Sequence, residues 1–558
     1  MALPLLALGF LALLLAGYHL YGGFVARRLR LDDARPTPAQ SVNDGMDFVP
    51  ARPFYLFAQH FSAIAAAGPI AGPIIACQSF GWLPCLLWIG FGVVFIGAVH
   101  DFTSLTASVR HGGRSLAAIA REYLGARAGR AMMGFIWIAL VYVIIAFADI
   151  TAGTFVSGTE ELQQAGTRFN AGGAVAAASA MYLLLAVVMG LLQRWLRPPL
   201  WLLTLVFVPA TFGVAWLGTL VSEVLVLDHL GWALIILAYC CVASVAPVWA
   251  LLQPRGYLGG FVLYAALAMG VIGVLFGGYD IQQPAFKSWN AGGASGALFP
   301  FLFVTIACGA CSGFHGLVCS GTTSKQVAKE SHMRVIGYGA MLAEAFVALI
   351  ALVTVMIARP EDLAGAAPGT IYGNGIGRFM TLLVGEHNYR FAVTFGAMAF
   401  STFVFDTLDV TTRLGRYMVQ ELTGWRGRAG ALVGTLLTIT LPLLFLVFGG
   451  GGSWARFWTL FGASNQLLAA LTLMAVGVWL HARRRPAGFA LVPMLFVLVV
   501  TLWALMRLLL ANLAATHGLD VELLNGLGAA AFILLALYLA ATALARLRRA
   551  PEAARAGA

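Results

Sequence analysis

Charge is what this sequence has least of. Asp, Glu, Lys and Arg make up only 10% of its 558 residues, where a soluble domain carries about 25%. No polar stretch is long enough to fold as a separate domain, so a water-soluble globule is excluded. Acidic residues are the scarcer sign, 23 against 34 basic, for a net charge of +11. That balance does not point to nucleic acid, because the basic residues fall almost entirely in short loops between apolar runs. Cysteine is sparse too. All seven (Cys77, Cys85, Cys240, Cys241, Cys308, Cys311 and Cys319) lie in or beside apolar segments. Cys308-Gly-Ala-Cys311 has metal-ligand spacing but no partner ligands nearby, so helix packing is its expected role and neither metal nor cofactor is expected. A cleavable leader is not expected either. Residues 3–24 are apolar, but Arg27, Arg28 and Arg30 follow them rather than precede them, which reads as a spanning helix with its N-terminus outside.

What the chain has in abundance is apolar runs long enough to cross a bilayer as helices. Hydrophobic residues make up 60% of it. The runs predict an all-α polytopic membrane protein with about fifteen transmembrane helices: 3–24, 54–78, 82–108, 131–156, 173–193, 198–222, 230–252, 258–278, 298–320, 335–358, 389–410, 430–448, 455–480, 489–511 and 526–546. With the N-terminus outside, 27 Lys and Arg fall in inside segments. Six (Arg168, Lys287, Arg359, Arg378, Arg390 and Arg456) fall outside, and Arg507 lies within a span. Because Lys and Arg resist translocation, that split sets the expected orientation, with a cytoplasmic C-terminus.

Between the spans, 114–121 reads as a short amphipathic helix lying on the membrane surface. The longest outside connection, 359–388, carries Gly373-Asn-Gly-Ile-Gly377 and reads as a flexible loop, since no strand precedes it as a phosphate cradle would need. Gly449 to Gly452 read as a turn, and the tail after Arg549 as disordered.

Two segments break the helical pattern. Gly68-Pro69-Ile-Ala-Gly72-Pro73 places two Gly-Pro pairs inside the second span, where they remove backbone donors and should unwind or kink the helix. In a bilayer such a break survives only where protein or a hydrated cavity meets the freed groups. Transporters use it to aim half-helix ends at substrate and ion, although a merely bent helix is common. The ninth span, rich in Gly, Cys and Ser around Ser312 and His315, permits close helix packing. Its end, Thr322-Thr323-Ser324, could coordinate an ion or cap a helix.

Ionisable side chains at membrane depth are the remaining candidates, since a central Asp costs roughly 2.5–3.5 kcal/mol on insertion scales. Glu344 and His315 lie on adjacent antiparallel spans at similar depth, about 15 Å from the cytoplasmic loop at ~1.5 Å per residue. They could form a proton-accepting pair or a structural hydrogen bond. His60 and Asp101 are also deep, and Asp149 lies nearer the outer face. Asp406, Asp409, Arg413 and Arg416 share a helical stripe. There an Asp409–Arg413 interfacial salt bridge is the plainer reading and a cytoplasmic gate the functional one.

Taken together, Ser41-Val-Asn-Asp-Gly-Met-Asp-Phe-Val-Pro50, His60 through Pro69, Gly97-Ala-Val-His-Asp101-Phe, Leu298 through Gly309, Ser312-Gly-Phe-His315, Ser320-Gly-Thr-Thr323, Ile336 through Leu342 with Glu344, Asp409 with Thr412-Arg413, and Ser464-Asn-Gln-Leu-Leu-Ala469 resemble the carbon starvation protein A (CstA) family. The resemblance implies a bacterial inner-membrane importer, not an enzyme, of short peptides or pyruvate, coupled to protons. It also implies the amino acid–polyamine–organocation superfamily core of five-plus-five inverted repeats. That core would occupy 53–424, after an N-terminal helix and inside linker (1–52) and before C-terminal membrane helices with a short tail (425–558). On that plan the partner of the Gly68–Pro73 helix would be 230–252. Asp406 and His100 depart from the family pattern, standing where it has a neutral residue and a Gln. The expected substrate and ion site comprises His60, Gly68, Pro69, Gly72, Pro73, Asp101, Ser312, His315, Thr322, Thr323, Glu344 and Asp409. Its expected partners are a small solute, a proton and membrane lipid.

Overall fold

The computed structural model describes residues 2–44, 48–65, 67–156, 169–247, 249–292, 296–425, 427–449, 454–518 and 520–548. The turn expected at Gly449–Gly452 and the tail after Arg549 lie essentially outside them. Among the described residues the chain is helical throughout, with only two isolated β-bridges. In order, the helices are α1 (Leu3–Leu29), α2 (Pro53–Ile64), α3 (Gly68–Phe80), α4 (Trp82–Arg110), α5 (Leu116–Leu124), α6 (Ala126–Val156), α7 (Ala171–Trp195), α8 (Leu200–Leu220), α9 (His229–Val245), α10 (Leu252–Phe276), α11 (Leu298–Thr305), α12 (Ala307–Ala310), α13 (Gly313–Gly321), α14 (Arg334–Met356), α15 (Pro368–Val384), α16 (Tyr389–Thr423), α17 (Gly427–Gly449), α18 (Trp454–Ala482), α19 (Gly488–Ala515) and α20 (Val521–Leu547).

Twelve of these are long and apolar enough to cross a membrane, or thirteen if the bent pair α2/α3 is one span. The other two expected spans are not single long helices. Span 230–252 is the 17-residue α9, which stops at Val245, and 298–320 is broken into α11, α12 and α13.

Helices in lipid gain little from hydrophobic burial against one another, so close packing through small residues holds them together. This corrects the reading of 359–388 as a flexible loop. Its middle is the 17-residue α15, largely buried. Gly373 and Gly377 seat that helix on α16, where added Cβ atoms would come 2.7 Å from the Ala397 and Val393 side chains. The glycines spaced for flexibility in a loop are spaced for contact in a helix. The 114–121 segment is helical as α5, with the Ser115 hydroxyl accepting from the Ala118 N–H at its start.

The first break is displaced from its expected position. Gly68–Pro73 is helical, and its helix lies at 45° to the preceding α2. Proline suits the first turn of a helix, where its missing N–H has no intrahelical acceptor to lose. Pro69 therefore starts α3 rather than interrupting it, and only Pro73 lies inside.

Burial orders the bundle. The central windows of α18, α16 and α14 are 100%, 89% and 83% buried, while α1 and α8 are only 28% buried. The innermost helix is thus α18, well beyond residue 424.

Candidate functional site

The broken segments α2/α3 and α11–α13 meet face to face. A Cβ on Gly72 would lie 2.7 Å from the Thr305 carbonyl oxygen, and one on Gly68 would lie 2.4 Å from Cys308 Sγ. The first broken helix therefore packs against 298–321. Breaking a helix frees backbone groups that must be satisfied inside protein, and α18 does this for the second break. The Phe314 N–H donates to Asn465 Oδ1 at 2.9 Å, and Asn465 Nδ2 donates to Ser312 Oγ at 3.1 Å and to Cys308 Sγ at 3.2 Å. About two turns earlier on α18, Trp458 Nε1 donates to the Thr305 carbonyl at 3.2 Å.

Between the breaks is a cavity of about 20 Å³, lined by Gly68, Pro69, Cys308, Ser312, His315 and Asn465 together with Ile64, Val143, Phe147, Phe314, Thr407 and Phe461. It holds about one water. Gly68 and Pro69 at the start of α3, and Ser312 and Phe314 around the start of α13, line it, so the beginnings of two helices adjoin the same small space.

From this cavity runs a line of buried titratable groups. His315 Nδ1 lies 2.9 Å from Asp101 Oδ2, and Asp101 Oδ1 lies 2.7 Å from His100 Nδ1. On the other side, His315 Nε2 lies 3.2 Å from Glu344 Oε2, out of line for a hydrogen bond, and neither Glu344 oxygen has a donor. All four side chains are buried. Both nitrogens of His315 thus face carboxylates. The ring is either an imidazolium that donates to Asp101 and lies beside the Glu344 carboxylate, or a neutral ring beside one protonated acid. With the imidazolium and two carboxylates the group carries a net −1, and one further proton neutralises it. Glu344, the end of the line without a donor, is the open place for that proton.

A branch leaves Asp101 through its backbone. Cys319 Sγ lies 3.5 Å from the Asp101 carbonyl and 3.8 Å from His60 Nε2, and His60 Nδ1 lies 2.9 Å from Thr323 Oγ1. His60, Asp101, His315, Thr323 and Glu344 are therefore connected, and Gly68, Pro69 and Ser312 share the cavity with His315. Gly72 and Pro73 do not line it; Gly72 instead lets α3 touch the backbone at Thr305. The Thr322 hydroxyl donates to the Val318 carbonyl and Ser324 to the Ser320 carbonyl, so those hydroxyls cap a helix end. Among the described residues no three His, Cys, Asp or Glu side chains are grouped to hold a metal ion.

Asp409 belongs elsewhere, and its expected bridge to Arg413 does not form. Arg413 Nη2 donates to the Ala243 and Ala246 carbonyls at 2.7 and 2.8 Å, satisfying acceptors that the end of α9 leaves open. Asp409 lies 3.1 Å from Arg255, which also ion-pairs Asp406. Arg255, counted above among inside-loop residues, is fully buried in the first turn of α10. Its proline neighbour Pro254 suggests a loop, but proline in a first helical turn is favourable. Asn465, His100 and Arg255 were the contributors not anticipated. Asn465 lay within a quoted motif, and His100 stands beside Asp101. For Arg255, only the excess of Asp at 406 and 409 on one apolar helix asked for a buried cation.

The sequence profile described as Carbon starvation protein CstA matches residues 1–371 and 363–504. The chain is 32% identical over 565 residues to a peptide transporter CstA of Campylobacter jejuni, covering 87% of this chain and 77% of that one. It is 33% identical over 575 residues to a peptide transporter CstA of Escherichia coli, covering 88% and 79%. It is 30% identical over 584 residues to the pyruvate/proton symporter BtsT of Escherichia coli, again covering 88% and 79%. Among solved structures, a mutant manganese transporter of Eremococcus coleocola overlays at a TM-score of 0.43 with 13% identity, over 91% of this chain and 99% of that one, a likeness too loose to carry an argument. With the family's profile reaching from residue 1 to residue 504 and taking in both broken segments, this chain belongs to the carbon starvation protein CstA family.

Proposed function

We propose that the chain is a proton-coupled symporter of the bacterial inner membrane that imports a small carboxylate-bearing nutrient, a short peptide or pyruvate. The observation that carries this reading is the juxtaposition at the cavity. The beginnings of two helices, at Gly68 and at Ser312 and Phe314, adjoin the space from which the His315–Glu344 pair leads away. A helix N-terminus attracts carboxylate through its dipole and any N–H groups left free; here Pro69 has no N–H and the Phe314 N–H is taken by Asn465, so the dipoles supply most of the attraction. The pair beside it takes up a proton where a solute's negative charge would arrive. Coupling follows from charge: solute anion and proton together enter a low-dielectric interior at lower cost than either alone. At about 20 Å³ the cavity has room for roughly one water, so admitting a solute requires the surrounding helices to separate. Alternating access by movement of the broken segments supplies that separation.

In this reading residues 53–424 hold the moving core, α18 of the 425–558 segment braces its second break, and 1–52 supplies a peripheral helix and linker. Placing the N-terminus outside and the C-terminus in the cytoplasm keeps the inside excess of Lys and Arg, one fewer with Arg255 removed from the loop set. The relatives' names support peptide and pyruvate as the solutes to try. Labelled pyruvate and a labelled dipeptide are offered to proteoliposomes with and without an inward proton gradient. Gradient-driven, saturable accumulation of either is expected. Equilibration that never exceeds the outside concentration would make the protein a channel.

A further inference from the structure

Away from the cavity, the densest buried charge sits where α9, α10 and α16 meet. Arg255 contributes a guanidinium with no exposure. Its Nη2 ion-pairs Asp406 and lies 3.1 Å from Asp409 Oδ2. Its Nη1 donates to the Tyr239 hydroxyl at 3.0 Å, which in turn donates to Asp409 Oδ2 at 2.9 Å. From α7 the Tyr182 hydroxyl donates to the Arg255 carbonyl at 2.8 Å, which pins the arginine's backbone and leaves the carboxylates untouched. Cys240 of α9 is a neighbour of Asp409 and brings no positive charge. Arg413, the other nearby cation, keeps its charge and acts on Asp409 from a distance, but its Nη2 is turned to the end of α9 and makes no ion pair with either aspartate, so Arg255 is the cation in contact with both.

The charges do not balance. One guanidinium, which does not deprotonate in proteins, faces two carboxylates, so the cluster carries −1 when both are ionised. Asp409 is only 1% exposed, and its Oδ1 has no hydrogen-bond partner. An unpaired buried charge is among the costliest things a protein can hold. Two carboxylates meeting at one site are commonly relieved by sharing a proton. A metal cation fits less well. Sodium needs several oxygen ligands and room, whereas here a guanidinium already contacts both acids. Packing is close as well, since a Cβ on Gly259 would lie 2.8 Å from Asp406 Oδ2. A proton needs no volume.

We propose that Arg255, Asp406 and Asp409 form a second proton-binding site, sharing no residue with the His315 line, in which one of the two aspartates binds a proton while the other stays paired with the guanidinium. Its occupancy changes how α10 is tied to α16. With the proton bound, Arg255 is matched by a single negative charge; without it, the guanidinium clamps two.

Infrared difference spectroscopy on the purified full-length chain in lipid nanodiscs, with isotopically labelled aspartate and pH stepped from acid to alkaline, reads this directly. A protonated aspartate carbonyl band that disappears as pH rises is expected in the wild type and in Glu344→Gln. It should be lost in both Asp406→Asn and Asp409→Asn. Each single variant leaves one carboxylate on Arg255, so at least one should fold. Superimposable pH difference spectra in the wild type and the Asn variants would overturn the proposal. So would an aspartate band that answers to sodium at fixed pH and not to pH itself. No solute is present, so failure of the transport reading would leave this result standing, and the reverse.

Discussion

Two of the buried polar clusters in this bundle, at His315 and at Arg255, differ in one respect that governs everything else about them. The line through His100, Asp101, His315 and Glu344 contains only groups that can become neutral. The cluster at Arg255 contains one that cannot. The first, reaching across α4, α13 and α14, can exist without net charge at one proton count and with it at another, which suits a site that must fill and empty inside a membrane. The second must always hold at least one carboxylate against its guanidinium. It therefore ties α10 to α16 whatever its protonation state, and loses its footing only if both acids are removed. A titratable line can carry a signal; a permanent cation makes a joint.

The largest effect should come from breaking the joint completely. Asp406→Asn with Asp409→Asn leaves Arg255 buried against amides and a tyrosine hydroxyl, and an orphaned buried charge costs about 3–5 kcal/mol. Thermal loss of folded protein in detergent should occur well below the wild-type temperature. Each single variant should stay close to it, because one carboxylate still neutralises the guanidinium. If the double variant were as stable as the singles, Arg255 would be reaching water and the contrast between the clusters would collapse.

The next effect is on function with stability held. Glu344→Gln keeps the shape of a side chain whose oxygens accept no hydrogen bond, and it removes the open place for a proton. Accumulation driven by a proton gradient should fall to simple equilibration, while exchange of labelled for unlabelled solute continues. Asp409→Asn should not reproduce that split, since it acts on a joint away from the cavity. Wild-type accumulation by Glu344→Gln would remove the titratable line from coupling altogether.

How much of this could be read beforehand follows from what each feature depends on. Long helices such as Ala126–Val156 are legible because hydrocarbon thickness imposes length and composition on a local stretch. The similar depth of His315 and Glu344 was legible too, since rise per residue is fixed and the spans are antiparallel neighbours. Gly-Pro spacing marked the first break but misplaced it, because Pro69 can start a helix as readily as end one. Helix α15 was missed because glycine is ambiguous alone; only the Ala397 and Val393 surfaces across from Gly373 and Gly377 decide between hinge and contact. Arg255 and Asn465 were hidden for a deeper reason. Their roles are partnerships with residues 151 or more positions away, Asp406 for one and Phe314 for the other, and no local pattern encodes a distant acceptor.

The smallest of the expected effects tests whether α18 belongs with the site or only beside it. Asn465→Ala removes the acceptor of the Phe314 N–H and the donor to Ser312, leaving a buried N–H unpaired at about 1–3 kcal/mol. Part of that cost should appear as a several-fold rise in the KM for uptake, because Ser312 and Phe314 line the cavity. Asn465→Asp separates structure from binding. Its carboxylate still accepts from Phe314, so the break stays satisfied, but it sets a negative charge against the space proposed for a solute anion. If α18 is a brace alone, Asp should restore what Ala loses. If Asn465 faces the solute, Asp should fold like the wild type and raise KM more than Ala does, and more for pyruvate than for a dipeptide whose amino group can answer the new charge.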